Sequence, residues 1–396
     1  MKIAVLGGAG AMARTIVKDL SESKAVEKIL VADYREKEAK AYAASFNDDR
    51  IGGSFVDASD IDKTAELIKD YDVLINAAQH FVNIPAMKAC LKGGCHYTDL
   101  GGLFHITLKQ MELFDDFEQA GLTAVICMGS APGITNVLAR YAYDNLDTVE
   151  KVILSDGILD LTDMKGADVF ISPYSIRTIM SEFADDAVMY TDGQFVSIAP
   201  SSGKIEIDFP EPIGRRECIQ TLHSEPATIP ASFKEKGIKE VKWYLSLPPE
   251  LEAKVSFLAS LGFDKSELLK IHGTEVAPID VLAAVIEKQI QEKCKNLQFE
   301  INDMECLRAQ VTGTKEGENM EFVVDCIVKT HSRWKCSSGD LCTGVPPSII
   351  AQMLGGKMIT QPGVWPPEQI VEPVEFFRQL SAREMHVGVS INKTLF

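Results

Sequence analysis

The chain has 396 residues, of which 46% are hydrophobic and 24% are charged, as in an ordinary globular protein large enough for two domains. Its 57 acidic and 40 basic residues give a formal net charge of −17, and no block of basic residues interrupts the acidic excess. We therefore expect neither nucleic acid nor an anionic membrane surface as a partner.

The first predicted element is a buried parallel strand, Ile3–Leu6, which runs into glycines and then into a helix. Gly8 would form the tight turn, Gly10 would admit a pyrophosphate, and Ala13 stands where a third glycine would allow close helix–strand packing. The free N–H groups at the start of the helix can bind phosphate oxygens. An ordinary βα turn is the alternative to the dinucleotide site that we predict at Gly7, Gly8, Gly10, Ala11 and Met12.

A second apolar strand, Lys28–Ala32, ends at Asp33, where a dinucleotide fold places an acidic residue on the adenosine ribose. A carboxylate there accepts hydrogen bonds from both ribose hydroxyls and repels a 2′-phosphate. NAD is therefore the predicted cofactor. Tyr34 and Arg35 are assigned to the same site, and Arg35 leaves NADP as the alternative.

Helices and strands then alternate along the chain. The predicted helices cover 36–46, 61–69, 84–92 and 108–120, and the predicted strands cover 54–57, 72–78, 96–99 and 123–127. This alternation predicts an α/β fold with a doubly wound parallel (Rossmann) sheet, whose ligands bind beyond the carboxyl ends of the strands. Asp57 and Ala58 are assigned to the adenine side, although Asp57 could simply cap the next helix. The passage toward the nicotinamide is assigned to Asn76, Ala77 and Ala78.

From about Val152 the alternation stops. Strands over 152–154, 194–198, 204–209, 218–222, 241–246 and 321–329 predict an antiparallel sheet, with helices over 250–261 and 278–293. We therefore predict a dinucleotide-binding domain over 1–150 and an inserted α+β substrate domain over 151–340. The last part, 341–396, holds a helix over 347–354 and a Pro-rich stretch over 361–368. This segment is expected to return to the Rossmann domain.

The nine cysteines are scattered, odd in number and without metal-ligand spacing. The first predicted strand begins at once, which leaves no room for a signal peptide, and no apolar stretch approaches membrane length. These patterns predict a reduced, cytoplasmic protein without a metal site. A disulfide between Cys336 and Cys342 is the alternative that we keep open.

Several motifs spread along the chain resemble those of the saccharopine dehydrogenase-like family, and most closely its lysine 6-dehydrogenase-type members. They are the glycine-rich start, YTDLGG at 97–102, SAPGITN at 130–136, NLDTVE at 145–150, TLHS at 221–224 and GVWPPEQIV at 363–371. The resemblance implies an NAD(P)-dependent oxidoreductase that acts on a C–N bond of an amino acid. It also implies a homodimer with a small amino-acid or amine substrate.

Three functions stay open at this point. The favoured one is oxidation of lysine or a lysine-derived amine. The first alternative is an imine reductase of the saccharopine or carboxynorspermidine type that uses NADPH. The second is a non-catalytic regulatory protein that binds a dinucleotide, because Cys127-Met128 and Glu225-Pro226 depart from the family pattern where the substrate should lie.

Hydride transfer from an amine carbon needs a nicotinamide in contact with it and a group that takes the amine proton. We predict Asp99 and His223 as catalytic residues, with a turn residue and a structural histidine as the respective alternatives. Arg215 and Arg216 are predicted to hold the substrate carboxylate, unless they are simply exposed. Gly129 is added to the cofactor site. Further substrate contacts are predicted at Gly101, Gly102, Ser130, Asn136 and Ser224.

Overall fold

The computed structural model describes residues 1–164, 170, 174–294 and 300–393. The strands are β1 Lys2–Leu6, β2 Lys28–Asp33, β3 Ile51–Phe55, β4 Val73–Asn76, β5 His96–Asp99, β6 Thr123–Val125, β7 Thr148–Asp160, β8 Ala187–Thr191, β9 Gln194–Ile198, β10 Ile205–Asp208, β11 Arg215–Cys218, β12 Glu240–Ser246, β13 Leu269–Ile271, β14 Thr274–Val276, β15 Asp303–Lys315, β16 Glu318–Lys329, β17 Gly363–Trp365 and β18 His386–Lys393.

The helices are α1 Ala11–Glu22, α2 Glu36–Ser45, α3 Ile61–Ile68, α4 Asn83–Gly93, α5 Phe104–Met111, α6 Phe114–Gln119, α7 Ile134–Asn145, α8 Ile176–Ala184, α9 Glu225–Ser232, α10 Pro249–Ser260, α11 Pro278–Cys294, α12 Ser338–Gly355, α13 Pro367–Ile370 and α14 Pro373–Ser381. Two short 3-10 turns, His80–Val82 and Lys234–Lys236, complete the regular structure of the described residues.

A parallel sheet of seven strands, in the order β17-β6-β5-β4-β1-β2-β3, forms the first half of the molecule. Alternate residues of β1 point to opposite faces, and both faces are buried: Ile3 and Val5 belong to one apolar core, Ala4 and Leu6 to another. Helices cover each face, as a parallel sheet requires. The predicted doubly wound sheet is confirmed.

The C-terminal part of the chain completes this sheet. Strand β17 pairs in parallel with β6, and the Thr123 hydroxyl donates a 2.9 Å hydrogen bond to the carbonyl of Gln361. The chain therefore leaves the sheet after β6, builds the second half, and returns to the sheet at β17. It then leaves once more, because β18 pairs with β16 of the second sheet.

The second half is a mixed sheet of seven strands in the order β18-β16-β15-β7-β12-β8-β9. The expectation of an antiparallel sheet holds except for β12, which runs parallel to β7. On β7 and β15, Leu154 and Leu307 point into the same core as α1, α7 and α12, whereas Ile153 and Cys306 face a small cluster on the other side. One face of this sheet is thus packed toward the nucleotide-binding half.

Four details differ from the sequence-based expectations. The predicted strands 204–209 and 218–222 contribute only β10 and β11, which form a separate two-stranded ribbon. Several elements were not predicted, namely strands β8, β15 and β18, the ribbon β13–β14 and helices α8, α9, α13 and α14. The predicted helix 108–120 is divided between α5 and α6. The helix predicted over 347–354 begins at Ser338 and continues through Pro346 and Pro347. The domain boundaries at 150 and 340 stay predictions.

Cys336 and Cys342 are both free thiols, so the alternative of a disulfide between them is wrong. Within the described residues, no helix is long and apolar enough to cross a bilayer. Over the same described ranges, no cluster of His, Cys, Asp and Glu has the arrangement of a metal site.

Candidate active site

The glycine turn after β1 forms a cradle with room for a pyrophosphate. Gly7 has φ of +67°, and a Cβ atom there would lie 2.9 Å from the carbonyl oxygen of Ala77. At Gly10, a Cβ atom would meet only the Gly7 carbonyl oxygen, at 3.1 Å, so this side of the turn is open. Helix α1 begins at Ala11 with no side-chain cap and no acidic residue in its first turn. Its N–H groups are therefore available to phosphate oxygens, and the residues present fit a dinucleotide.

Asp33, at the end of β2, is buried and already engaged by the protein. The backbone N–H of Ala9 donates to Oδ2 at 3.1 Å, and the backbone N–H of Arg35 donates to Oδ1 at 2.9 Å. The guanidinium of Arg35 lies 3.4 Å from Oδ1 of Asp33 and 3.0 Å from Glu38, over the ring of the exposed Tyr34. The structure thus places a carboxylate and a guanidinium side by side at the predicted ribose position.

The other predicted cofactor residues lie along the carboxyl edge of the sheet. Asp57 follows β3, and its Oδ1 accepts hydrogen bonds from the backbone N–H and the hydroxyl of Ser59, so it caps its own turn beside Ala58. Asn76, at the end of β4, donates to Oδ1 of Asn83 at 2.8 Å and accepts from the N–H of Ala78. Asn76 therefore fixes the backbone that passes over the glycine turn at Ala77.

Asp99 is fully buried at the end of β5, and four donors occupy its two oxygens. Oδ1 accepts from the backbone N–H groups of Gly101 and Cys127, at 2.9 and 2.8 Å. Oδ2 accepts from the Tyr97 hydroxyl at 2.9 Å and from the Gln110 amide at 2.5 Å. Burial raises the pKa of Asp99, although these four bonds act against the shift. This geometry favours the turn role over the catalytic role that we predicted.

The loop around Gly129 packs tightly on the Asp99 turn. A Cβ atom at Gly129 would lie 2.7 Å from the Leu100 carbonyl oxygen, and one at Gly101 would lie 2.7 Å from Pro132. The hydroxyl of Ser130 is buried and has no hydrogen-bond partner among the described residues. Asn136 caps α7 by accepting from the N–H of Gly133, and its amide donates to Glu368. The hydroxyl of Ser130 is therefore unsatisfied, whereas the amide of Asn136 is occupied.

His223 lies in a buried pocket that faces this edge of the first sheet. Its Nδ1 forms a short hydrogen bond with Oε2 of Glu225, and its Nε2 lies 3.8 Å from Oε1 of Glu182. The imidazole stacks on the Trp243 indole with ring centroids 4.2 Å apart. Burial alone would lower the pKa of His223, but the charges of Glu225 and Glu182 outweigh it, so the pKa is raised. Its Nε2 forms an ion pair with Glu182 but no hydrogen bond at this distance, so its proton can be exchanged with a ligand that approaches it.

Three hydrogen bonds tie the His223 segment to the nucleotide-binding half. The Thr135 hydroxyl, in the first turn of α7, donates to Oε1 of Glu225 at 3.0 Å. Ser224 donates to the carbonyl of Gly102 and accepts from Thr107. The predicted residues His223, Ser224 and Gly102 are therefore brought together beside the ends of β5 and β6.

Further buried acidic side chains lie on the second sheet and on helix α8. Glu182 hydrogen-bonds to the Tyr174 hydroxyl, and burial raises its pKa to about 7. Asp156 of β7 and Glu305 of β15 follow on the sheet face that carries Leu154 and Leu307. Burial together with repulsion from Glu305 and Glu225 raises the pKa of Asp156, and burial raises that of Glu305 to about 7. None of these carboxylates has a Lys or Arg partner among the ion pairs of the described residues.

Arg215 and Arg216 lie away from this pocket, which corrects the predicted substrate contacts. Both belong to the ribbon β10–β11, which packs through Ile207 and Cys218 on the opposite face of the second sheet. Arg215 is exposed and pairs with Glu206 at 2.6 Å, within the same ribbon. Neither guanidinium can meet a substrate held at His223, because the sheet lies between them.

Sequence reasoning missed Asp156, Glu182 and Glu305. A signal was present for two of them: Asp156 interrupts the apolar run VILSDGIL, and Glu305 occupies an inward position of the alternation that continues at Leu307 and Ala309. An acidic residue on the buried face of a strand is costly without a partner. Their meeting in one pocket depends on the strand order, which the sequence pattern does not reveal.

The comparisons with known proteins agree with this architecture. Residues 3–125 match the family model for the saccharopine dehydrogenase NADP binding domain, and residues 129–385 match that for the saccharopine dehydrogenase C-terminal domain. Carboxynorspermidine synthase of Vibrio cholerae is 24% identical over 339 residues, which cover 80% of this chain and 77% of that protein. Carboxyaminopropylagmatine dehydrogenase of Synechocystis sp. is 22% identical over 377 residues, 90% of this chain and 88% of that protein.

The fold is also found among solved structures. Saccharopine dehydrogenase (L-Glu forming) from Saccharomyces cerevisiae superposes with a TM-score of 0.72 over 99% of both chains, at 14% identity. The parallel sheet, the inserted mixed sheet and the returning C-terminal segment therefore form a known arrangement.

Proposed function

The chain belongs to the saccharopine dehydrogenase family of NAD(P)-dependent oxidoreductases acting on C–N bonds of amino acids and amines, and from this premise we propose that it reduces an imine formed between a cationic amine and a carbonyl compound. The product is a secondary amine. This choice reverses our sequence-based order of preference, in which oxidation of lysine came first. The two curated relatives described above, both named for carboxylated amines, support the change.

The observation that carries the proposal is the excess of buried carboxylates around His223. Asp156, Glu182, Glu225 and Glu305 are each less than 8% exposed, and the basic group that pairs with any of them, within the described part of the chain, is His223. Buried charges without counter-charges are strongly unfavourable. A cationic amine would supply the missing positive charge and would be held next to the proton donor.

The proposed chemistry divides between cofactor and protein. Bound NAD(P)H supplies the hydride that the imine carbon accepts. The chain's own residues manage the protons, because the raised pKa of His223 favours its protonated form. The imidazole can give a proton to the departing hydroxyl as the imine forms, and it can regain the proton that the attacking ammonium nitrogen releases. It can then give that proton to the amine nitrogen once the hydride has reached the imine carbon. Glu225 holds the imidazole through Nδ1, and Thr135 holds Glu225. Trp243 closes one side of the pocket against the imidazole.

The test is NAD(P)H oxidation, followed by absorbance, with a diamine and a carboxylate-bearing aldehyde added singly and together. The expected result is oxidation only when both are present, with the secondary amine identified by mass spectrometry. NAD(P)⁺ reduction by free lysine alone would overturn the proposal in favour of amine oxidation. If the chain binds NAD(P)H but transfers no hydride with any combination of amine and aldehyde, the alternative of a non-catalytic regulatory protein would be favoured. Homodimer assembly, a cytoplasmic location and the preference for NAD over NADP stay predictions.

A further inference from the structure

Asp156 and Glu305 form a pair of carboxylates on one face of the second sheet. In the register of β7 and β15, Asp156 lies opposite Leu307, and Glu305 is two residues away on β15, so the two side chains project from the same face. Such diagonal neighbours have Cα atoms about 7–8 Å apart, a distance that two carboxyl side chains can span together. The residues beside them on this face, Leu154 and Leu307, are apolar and buried.

Asp156 lacks a full set of hydrogen bonds, whereas Glu305 is hydrogen-bonded to the Cys342 thiol. Asp156 is 7% exposed, and its Oδ1 has no hydrogen-bond partner within the described residues. Glu305 is 5% exposed, and Asp303 and Asp340 nearby add further negative charge. A bare buried carboxylate beside a second one is unfavourable, because neither solvent nor a cation compensates it. The site has the form of a receptor for a cationic group.

The pair also lies within electrostatic reach of the His223 pocket. The negative charge of Glu225 contributes to the raised pKa of Asp156, and Asp156 and Glu305 both act on the pKa of the Tyr174 hydroxyl, which is bonded to Glu182. The charges of the two places therefore act on one another. A linear molecule with a cation at each end would fit this distribution of charge better than a molecule with one cation.

We propose that Asp156 and Glu305 bind the second ammonium group of a linear diamine whose other amine reacts beside His223. This inference rests on the proposed function, since it names the class of amine that the imine contains. It goes further by assigning a recognition site at the far end of the substrate. The substrate class is then an α,ω-diamine or a longer polyamine. A monoamine should bind less tightly, because it has no second ammonium group to pair with Asp156 and Glu305.

The test is equilibrium binding, measured by calorimetry on the full chain with NAD(P)H bound and no aldehyde present. Diaminopropane, putrescine and cadaverine are each compared with propylamine, butylamine or pentylamine of equal length. We expect the diamine of best length to bind at least about tenfold more tightly than its monoamine, which is typical of one charge-assisted interaction. Asp156→Asn and Glu305→Gln should each reduce that ratio toward one. Glu318→Gln, on an exposed carboxylate of the β15–β16 hairpin, should leave it unchanged.

Equal affinity of the wild-type chain for diamine and monoamine would overturn the inference, and this comparison does not depend on whether the variants fold. A preference for diamines that survives in both folded variants would overturn it as well. Imine reduction with monoamines as efficient as with diamines would leave the proposed function standing and remove this subsite. The variants could lose the preference for diamines while the wild-type chain transfers no hydride to any imine. That result would support the subsite and refute the proposed reaction.

Discussion

The Thr135 hydroxyl donates a 3.0 Å hydrogen bond to Glu225, and this contact joins the nucleotide-binding half to the segment that carries His223. Thr135 lies in the first turn of α7, directly after the loop that closes on the end of β6. Glu225 is therefore held from one side while its other oxygen orients the imidazole. The position of the proposed proton donor depends on both halves of the molecule.

Replacing His223 by Gln should lower kcat by about 100-fold or more, because general acid–base catalysis typically contributes that much. The affinity for NAD(P)H, measured by fluorescence titration, should not change, since His223 lies on the opposite wall. His272→Gln, at an exposed turn between β13 and β14, is the matched control. Full activity in the His223 variant would exclude the imidazole as proton donor.

Glu225→Gln should move the alkaline limb of the pH profile of kcat/KM to lower pH. The charge of Glu225 raises the pKa of His223, and the protonated form is the active acid. Without that charge the imidazole loses its proton at a lower pH, so activity declines earlier as pH rises. Thr135→Val should give a smaller shift in the same direction. An unchanged limb would mean that another group controls it.

Asp33→Asn should weaken NADH binding by about tenfold, because a charge-assisted hydrogen bond to the ribose becomes a neutral one. NADPH binding should change less or improve, because the repulsion of the 2′-phosphate is removed. Arg35→Gln should act in the opposite direction, lowering the affinity for NADPH more than that for NADH. Direct titration of each nucleotide gives both ratios. An unaltered NADH-to-NADPH ratio in Asp33→Asn would refute the predicted ribose contact.

The glycine turn can be tested by two substitutions with different expected outcomes. Gly7→Ala should destabilise the fold by about 1–3 kcal/mol, since Gly7 has φ of +67° and a Cβ atom would press on Ala77 and Ala78. Gly10→Ala should keep nearly the wild-type melting temperature, because only the Gly7 carbonyl oxygen lies near, yet reduce nucleotide affinity by about tenfold or more. Thermal melts with and without NAD(P)H separate the two effects.

Wild-type stability should fall as pH rises from about 4.5 to about 7. Burial raises the pKa values of Glu182 and Glu305 to about 7, so over this range the folded chain binds protons that the unfolded chain has lost. Glu305→Gln should flatten this decline and raise the melting temperature at pH 8 by about 1–3 °C. Glu318→Gln should do neither. If Glu305→Gln lowered the melting temperature, the ionised carboxylate of Glu305 would already be stabilised by its surroundings in the folded chain.

The nucleotide-binding half was largely predictable, because its signals are local. The glycines of the first turn, the acidic residue after β2 and the alternation of strands with helices each lie within a short stretch of sequence. The proposed substrate site was not predictable to the same degree. His223 was found next to its partner Glu225, but Glu182 and Glu305 come from a helix and a strand more than 40 residues away on either side.

The predicted site residues that the geometry does not favour have a similar explanation. Arg215 and Arg216 had the right chemistry for a carboxylate, but the face to which a ribbon attaches is decided by tertiary packing. Asp99 lies at the predicted strand end, and the hydrogen bonds from Tyr97, Gln110 and Cys127 that occupy it come largely from other elements. Local pattern identifies which residues reach an edge of a sheet. It does not tell whether their polar atoms are free there.

The late return of strand β17 has a consequence for how the protein is made. The edge of β6 stays unpaired until residues 363–365 emerge, and the Thr123–Gln361 contact closes a loop of 238 residues. Contacts of such sequence separation form slowly, because a long loop must be ordered before they stabilise anything. The nucleotide-binding half is thus encoded first but finished among the last parts of the chain to be synthesised. A fragment ending near residue 150 should expose the edge of β6 and aggregate. The nucleotide-binding half is therefore not expected to fold as an independent domain without residues 363–365.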